Sequence, residues 1–286
     1  MVIIDTPCSL CGSNEYISRF TKNNFQIATC SKCELVKTLL PKNFDLSTIY
    51  DKNYFQGGTP DGYADYQASK KVIKKEFYKI LKKLLQFKKD VNANNLLEIG
   101  CAYGFFLEMA KDHFRCSGIE ISSEATKYAQ KVCENVFNGS ADKDTLNKIG
   151  EINFVVMLDV IEHLPNASIT IQNISGNLSK GGIVLLTTGN INSMYAKISG
   201  KYWRLMTPPQ HVTFFSEKTI QKLFVQHGFK IIEISTPYKL VPLGLILYQL
   251  VRRFKIKLPD FILKTLSKIY LPVNLFDAMQ VIAVKL

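Results

Sequence analysis

The chain is short of acid: 24 aspartates and glutamates stand against 36 lysines and arginines, a net charge of +12. It also lacks an apolar run able to span a bilayer. The longest nearly uncharged one, Leu240–Val251, falls well below the roughly 20 residues that a membrane helix needs. Met1–Leu10 has neither the basic start nor the apolar stretch of a secretory signal. These absences predict a soluble, cytoplasmic protein, in which cysteines are not expected to pair as disulfides. What is present is ordinary globular composition, 47% hydrophobic and 21% charged over 286 residues, enough for one large core and an appendage.

Much of the positive charge sits in Lys70–Lys89, with nine lysines to one acid (Glu76), and in Arg252–Lys268. Val72, Ile73, Phe77, Ile80, Leu81 and Leu84 recur at helical spacing through the first run. The lysines therefore read as the solvated face of an amphipathic helix before they read as a nucleic-acid or membrane surface.

Seven cysteines fall into two groups. Cys101, Cys116 and Cys133 lie in apolar segments and read as core residues. Cys8, Cys11, Cys30 and Cys33 form two C-x2-C pairs separated by 18 residues, with Gly12 where a positive φ would be useful. That spacing is expected to hold one structural zinc ion in a small ribbon, because four thiolates leave no coordination position for water. A fold of that size has almost no core, so metal binding and folding should be coupled.

From about Asn94, apolar runs of strand length alternate with helical patterns, which predicts a parallel sheet with crossover helices. Asn95–Ile99 reads as its first strand, Gly100–Gly104 as a turn and Phe105–His113 as a helix. The turn is G-x-x-x-G rather than the G-x-G-x-x-G of dinucleotide sites. Glu98 precedes it, and a second strand, Arg115–Ile119, runs into Glu120, an acid placed to accept ribose hydroxyls.

Leu97–Gly104 resembles the first motif of class I S-adenosylmethionine (SAM)-dependent methyltransferases, and Gly118–Ile121 resembles their second. Phe154–Leu164 is similar to the fourth-strand motif of the ubiquinone-biosynthesis branch, and Lys180–Leu185 to the turn into the fifth strand. The resemblance implies a doubly wound, Rossmann-like α/β sheet, parallel with an antiparallel closing hairpin, plus the N-terminal zinc ribbon. It implies SAM as cofactor, held by Glu98, Gly100, Cys101, Ala102, Gly104, Glu120, Asp159 and, at the adenine end, Ala141 or Asp142.

Tyr202–Ser216 resembles a segment of methyltransferases that modify sugars and polysaccharides, several of which begin with a four-cysteine domain and a tyrosine-rich stretch. Here that stretch holds Tyr50, Tyr54, Tyr63 and Tyr66. The resemblance implies a sugar hydroxyl as acceptor, contacted by Tyr54, Tyr63, Tyr66, Trp203 and Gln210. Gln210 stands where such enzymes carry glutamate, which favours O- over C-methylation. His211 is the first candidate base, His163 its rival and Asp159 a third catalytic candidate. Asp159, Glu162 and His163 also resemble a cluster given a magnesium role in ubiquinone-type relatives.

The expected organisation is a ribbon over 1–48, a helical connector over 49–92 and the methyltransferase domain over 93–286. Glu217–His227 should be a helix between Ser216 and Gly228, and Lys230–Ser235 and Ala278–Val284 the closing strands. Between them lies an insertion of apolar helices at about 240–272, a candidate pocket cover, oligomer contact or peripheral membrane contact. A quinol or RNA acceptor and a non-catalytic scaffold are the competing readings. The ribbon, Thr6–Lys37, is not strongly basic, which disfavours nucleic acid.

Overall fold

The computed structural model describes residues 2–3, 6–41, 44, 49, 66–90, 94–244, 247, 265–266 and 269–286. Tyr50, Tyr54, Tyr63 and most of the insertion at 240–272 lie outside them.

The N-terminal unit is an antiparallel sheet of β1 (Val2–Ile3), β2 (Glu15–Lys22), β3 (Phe25–Cys30) and β4 (Val36–Leu39). It is joined at its edge by β10 (Thr213–Phe214), which pairs with β4 in the register Thr213↔Lys37 and Phe214↔Val36. Asn23 Nδ2 donates to the Pro208 carbonyl at 2.9 Å, and Thr38 Oγ1 to the His211 carbonyl at 2.7 Å. Ile27 and Val36 are buried against Ile191, Trp203, Met206 and Phe214. The small sheet thus borrows a core from the larger domain.

The main described element of the connector is α1 (Lys70–Phe87), which buries Ile80, Leu81 and Leu84 and leaves its lysines exposed or half-buried. Each buried leucine or isoleucine stabilises by roughly 1.5–3 kcal/mol relative to exposure. That burial holds α1 in one apolar cluster with Leu96, Phe154, Leu185 and Ile282 of the main sheet.

The main sheet is formed by β5 (Asn95–Ile99), β6 (Arg115–Glu120), β7 (Val136–Asn138), β8 (Ile152–Leu158), β9 (Leu178–Gly189), β11 (Phe229–Ser235) and β14 (Ala278–Lys285). Its order is β11-β14-β9-β8-β5-β6-β7, with β14 antiparallel to both neighbours and the remaining pairs parallel. The crossovers carry α2 (Phe105–Ala110), α3 (Ser123–Ala129), α4 (Lys143–Ile149) and α5 (Ala167–Asn177). α2 stops three residues short of the expected His113, where the chain turns into β6. α6 (Met194–Ser199) and α7 (Glu217–Gln226) follow β9, α7 with Ser216 and Thr219 in a reciprocal capping box.

The insertion departs from the all-helical expectation. Its ends pair antiparallel as β12 (Lys239–Pro242) and β13 (Tyr270–Val273). Among the described residues, no helix is long and apolar enough to cross a membrane.

Candidate active site

A cavity of about 650 Å³ opens at the C-terminal ends of β5, β6 and β8, where ligands bind in open parallel sheets. The order reverses here because β6 lies to one side of β5 and β8 to the other. The turn after β5 needs a left-handed backbone at Gly100 (φ 71°), Ala102 (φ 46°) and Gly104 (φ 75°). A Cβ on Gly100 would come within 2.5 Å of Val160 Cγ2. Glycine is required there by space as well as by conformation.

Two buried acids face the cavity. Glu120, at the end of β6, accepts from Ala102 N–H through Oε2 and Ser122 N–H through Oε1, both at 2.8 Å. Burial raises its pKa, and those backbone donors hold it down in part. Glu98 has less relief: the Leu107 backbone lowers its pKa in part, but its Oε2 is buried without a hydrogen-bond partner. Desolvation, then the charge of Glu120, pushes its pKa well up. An orphaned carboxylate oxygen is costly unless a donor or cation comes to it.

Gly100, Ala102, Ala141, Asp142 and Asp159 also line the cavity. Asp142 is committed as N-cap of α4, accepting from Thr145 N–H at 2.8 Å. Cys101 and Gly104, expected beside the cofactor, stand behind the lining. Cys101 is buried with Sγ where a Cβ on Gly118 would fall, and Gly104 is the left-handed residue starting α2.

At the other end of the cavity Asp159 sits at φ 56°, in the left-handed region that aspartate tolerates better than most. Thr187 Oγ1 donates to its Oδ1 at 2.8 Å and Lys239 Nζ to its Oδ2 at 2.9 Å. Burial alone would raise its pKa, but the Lys239 charge and these two donors outweigh it and hold the carboxyl at about 2. Glu76, Arg204 and Lys239 complete this end. Arg204 grips Asp277 through Nε and Nη2, each at 2.9 Å. The sequence offered no signal for Lys239, which arrives on β12, 80 residues after Asp159.

His163 lines the cavity; His211 packs edge-on behind it, ring centroids 4.6 Å apart. Nδ1 of His163 lies 3.0 Å from the Gln210 carbonyl, and Nδ1 of His211 lies 2.6 Å from the Leu205 carbonyl. Burial lowers both pKa values, that of His211 to about 3 with a further push from His163. Glu162, fixed by Thr188 Oγ1 at 2.9 Å, is raised to about 8 by burial and by Asp159. Ligand atoms of Glu162, His163 and His211 lie within 4.8 Å of one another, so the metal-ligand geometry brings in His211 where the sequence pattern suggested Asp159.

Trp203 and Gln210 were expected to touch substrate; both are buried and neither lines the cavity. The Trp203 indole N–H donates to Asp277 Oδ2 at 2.8 Å, which places its ring in the core beneath the segment. Tyr66 does line the cavity, stacked on Phe105 at 5.0 Å.

Away from the cavity, the sulfurs of Cys8, Cys11, Cys30 and Cys33 all lie within 4.8 Å of one another, a set that could hold a metal ion. The Cys8–Cys33 and Cys11–Cys30 separations are 3.5 Å. About 3.8 Å separates sulfurs on a zinc tetrahedron with 2.3 Å bonds, so small shifts suffice. The two knuckles match: Gly12 N–H donates to the Cys8 carbonyl and Glu34 N–H to that of Cys30, with φ values of 73° and 66°.

Sheet order, crossover helices and a cavity at the switch point define an α/β Rossmann-like methyltransferase fold. A methyltransferase-domain family matches residues 72–234, more than half of the chain, and the chain belongs to that family. The magnesium protoporphyrin IX methyltransferase of Synechocystis PCC 6803 with bound S-adenosylhomocysteine superposes with a TM-score of 0.51 at 15% identity, over 84% of this chain and 99% of that one. Its SAM-bound form gives 0.51 at 14% identity, over 86% and 100%. A SAM-dependent methyltransferase from Archaeoglobus fulgidus gives 0.49 at 17%, over 73% and 94%. At such identities the likeness is one of fold. No curated protein matches the chain.

Proposed function

We propose that this S-adenosylmethionine-dependent methyltransferase transfers its methyl group to a hydroxyl of a sugar or sugar nucleotide. The observation that carries the cofactor assignment is the pair of buried acids in one cavity. Glu98 offers a bare carboxylate oxygen to an ammonium, while Glu120, already oriented by two backbone donors, suits vicinal ribose hydroxyls. SAM carries both groups and supplies a methyl already activated by a sulfonium.

The residues' work is then positional. The Gly100–Gly104 turn lets the cofactor approach the backbone, and Asp159, held by Lys239 and Thr187, flanks the reacting end. As the acceptor oxygen bonds to the methyl carbon and the carbon–sulfur bond breaks, the hydroxyl proton passes to His163. Burial keeps that ring neutral at physiological pH and so able to take a proton. A polar acceptor is supported by the charged far end of the cavity, where Glu76, Asp159, Arg204 and Lys239 meet. The four cysteines are read as a structural zinc site.

Calorimetric titration with SAM, followed by SAM-dependent mass gain across nucleotide sugars, quinol precursors and RNA, tests the assignment. Failure to bind SAM would remove the cofactor reading. Mass gain confined to a quinol or to RNA would replace the acceptor.

A further inference from the structure

α6 is built inside out. It buries Ala196, its smallest residue, against the core, and turns Met194 and Ile198 outward at 74% and 79% exposure. The turn that follows adds Tyr202 at 76%. Phe276, next to the Asp277 that holds Trp203 and Arg204, is also largely exposed. Burying the large residues and exposing the alanine would be the favourable arrangement for a helix meant to face water. Four large apolar side chains exposed on adjoining segments mark a contact surface.

The charge around this surface has one sign. Residues 190–216 contain no aspartate or glutamate, while Lys197, Lys201 and Arg204 are all exposed. From the small sheet, Lys22 places its Nζ 5.9 Å from the Tyr202 ring centre, and Lys201 lies 5.3 Å from it. Of the flanking acids, Asp277 is paired with Arg204 and held by Trp203, and Glu217 accepts from Asn190 Nδ2.

We propose that this face, Met194, Ile198 and Tyr202 with Lys22, Lys197 and Lys201, rests on the surface of an anionic lipid bilayer. Aliphatic side chains able to enter the acyl boundary, a tyrosine for the headgroup layer and a lysine rim are what interfacial attachment requires. A nucleic acid would satisfy the lysines and leave Met194 and Ile198 in water; an acidic protein without apolar surface would do the same. The contact is peripheral and distinct from the expected one at 240–270. It lies close to the cavity, since Arg204 lines the cavity two residues after Tyr202. It does not depend on which acceptor is methylated.

The test is co-sedimentation of the full chain with phosphatidylcholine vesicles containing about 30% phosphatidylglycerol, against pure phosphatidylcholine, near physiological salt. The wild-type chain should sediment with the anionic vesicles alone. A Met194→Ser/Ile198→Ser/Tyr202→Ser variant and a Lys197→Glu/Lys201→Glu variant should each lose roughly ten-fold or more of the partition coefficient. Both should keep the wild-type melting temperature and SAM affinity, because the replaced side chains are exposed and lie outside the cavity. Two outcomes would overturn the proposal. One is anionic-vesicle binding that both variants retain, which would move attachment elsewhere, for example to Arg252–Lys257. The other is a wild-type chain that ignores vesicles but forms a dimer lost in the triple-serine variant, which would make the face a self-contact.

Discussion

Lys239 and Asp159 join β12 to the end of β8 across the cavity, with Nζ 2.9 Å from Oδ2. The same lysine lies 4.0 Å from Glu76 on α1, and Glu76 Oε1 accepts from the neighbouring Leu240 N–H at 2.6 Å. Three elements distant in sequence thus meet at one point over the proposed acceptor.

Removing that lysine should flatten the acid limb of stability. The folded pKa of Asp159, about 2, lies below its ordinary 3.8, so its stabilisation is present above about pH 4 and is lost as pH falls toward 2. Both side chains are more than a third exposed, so screening reduces the expected contribution to about 1 kcal/mol. Urea denaturation of Lys239→Met against pH should show a loss of that size at pH 7 and none near pH 2. Equal losses at both pH values would mean that Lys239 acts through packing.

The legible part of the molecule was the part whose signal is local. Periodicity placed α1, and the strand-turn-helix pattern placed Glu98 and Glu120 at adjacent strand ends, because a parallel sheet brings successive carboxyl ends together. The β4–β10 pairing was hidden: a two-residue strand has no period, and its partner lies more than 170 residues away. Trp203 read as a substrate contact through the resemblance of its segment to sugar-modifying methyltransferases. Its partner Asp277 is 74 residues downstream, and that bond turns the ring inward. Lys239 gave no sign because its meeting with Asp159 depends on where β12 lies in the fold.

Glu98→Gln should separate cofactor binding from stability, moving them in opposite directions. SAM affinity should fall about 30-fold, near 2 kcal/mol, as a charged hydrogen bond is lost. The unliganded variant should gain stability relative to the unliganded wild type as pH rises. The folded pKa of Glu98 is raised, so ionising it costs stability above the ordinary carboxylate range. Calorimetry and pH-dependent unfolding read the two effects. A variant with undiminished SAM affinity would remove Glu98 from the ammonium site.

The two histidines should behave differently because only His163 lines the cavity. His163→Asn is expected to lower kcat by roughly 10²–10⁴ with little change in SAM affinity. The activity of the wild-type enzyme should persist below the usual imidazole range, since burial lowers that pKa. His211→Ala opens space beside Phe214 and removes the contact to the Leu205 carbonyl, so about 2 kcal/mol of stability should go. Its kcat, measured where it remains folded, should change less than ten-fold. The reverse pattern would make His211 the base and His163 a packing residue.

Metal loss should reach the active site through shared backbone. With zinc bound to Cys8, Cys11, Cys30 and Cys33, the purified chain is expected to carry one equivalent. Chelation or Cys30→Ser should lower the melting temperature by about 10 °C, because so small a sheet folds around its metal. The effect should not stop there. β4 is the partner of β10, Thr38 holds the His211 carbonyl, and Val212 N–H donates to the Glu162 carbonyl, so an unfolded ribbon frees the segment that backs His163. Turnover should therefore fall together with ribbon structure and return when zinc is restored. SAM affinity should change little, since Glu98 and Glu120 rest on β5 and β6. A zinc-free chain that keeps full turnover with its ribbon unfolded would show that the β4–β10 pairing carries no catalytic consequence.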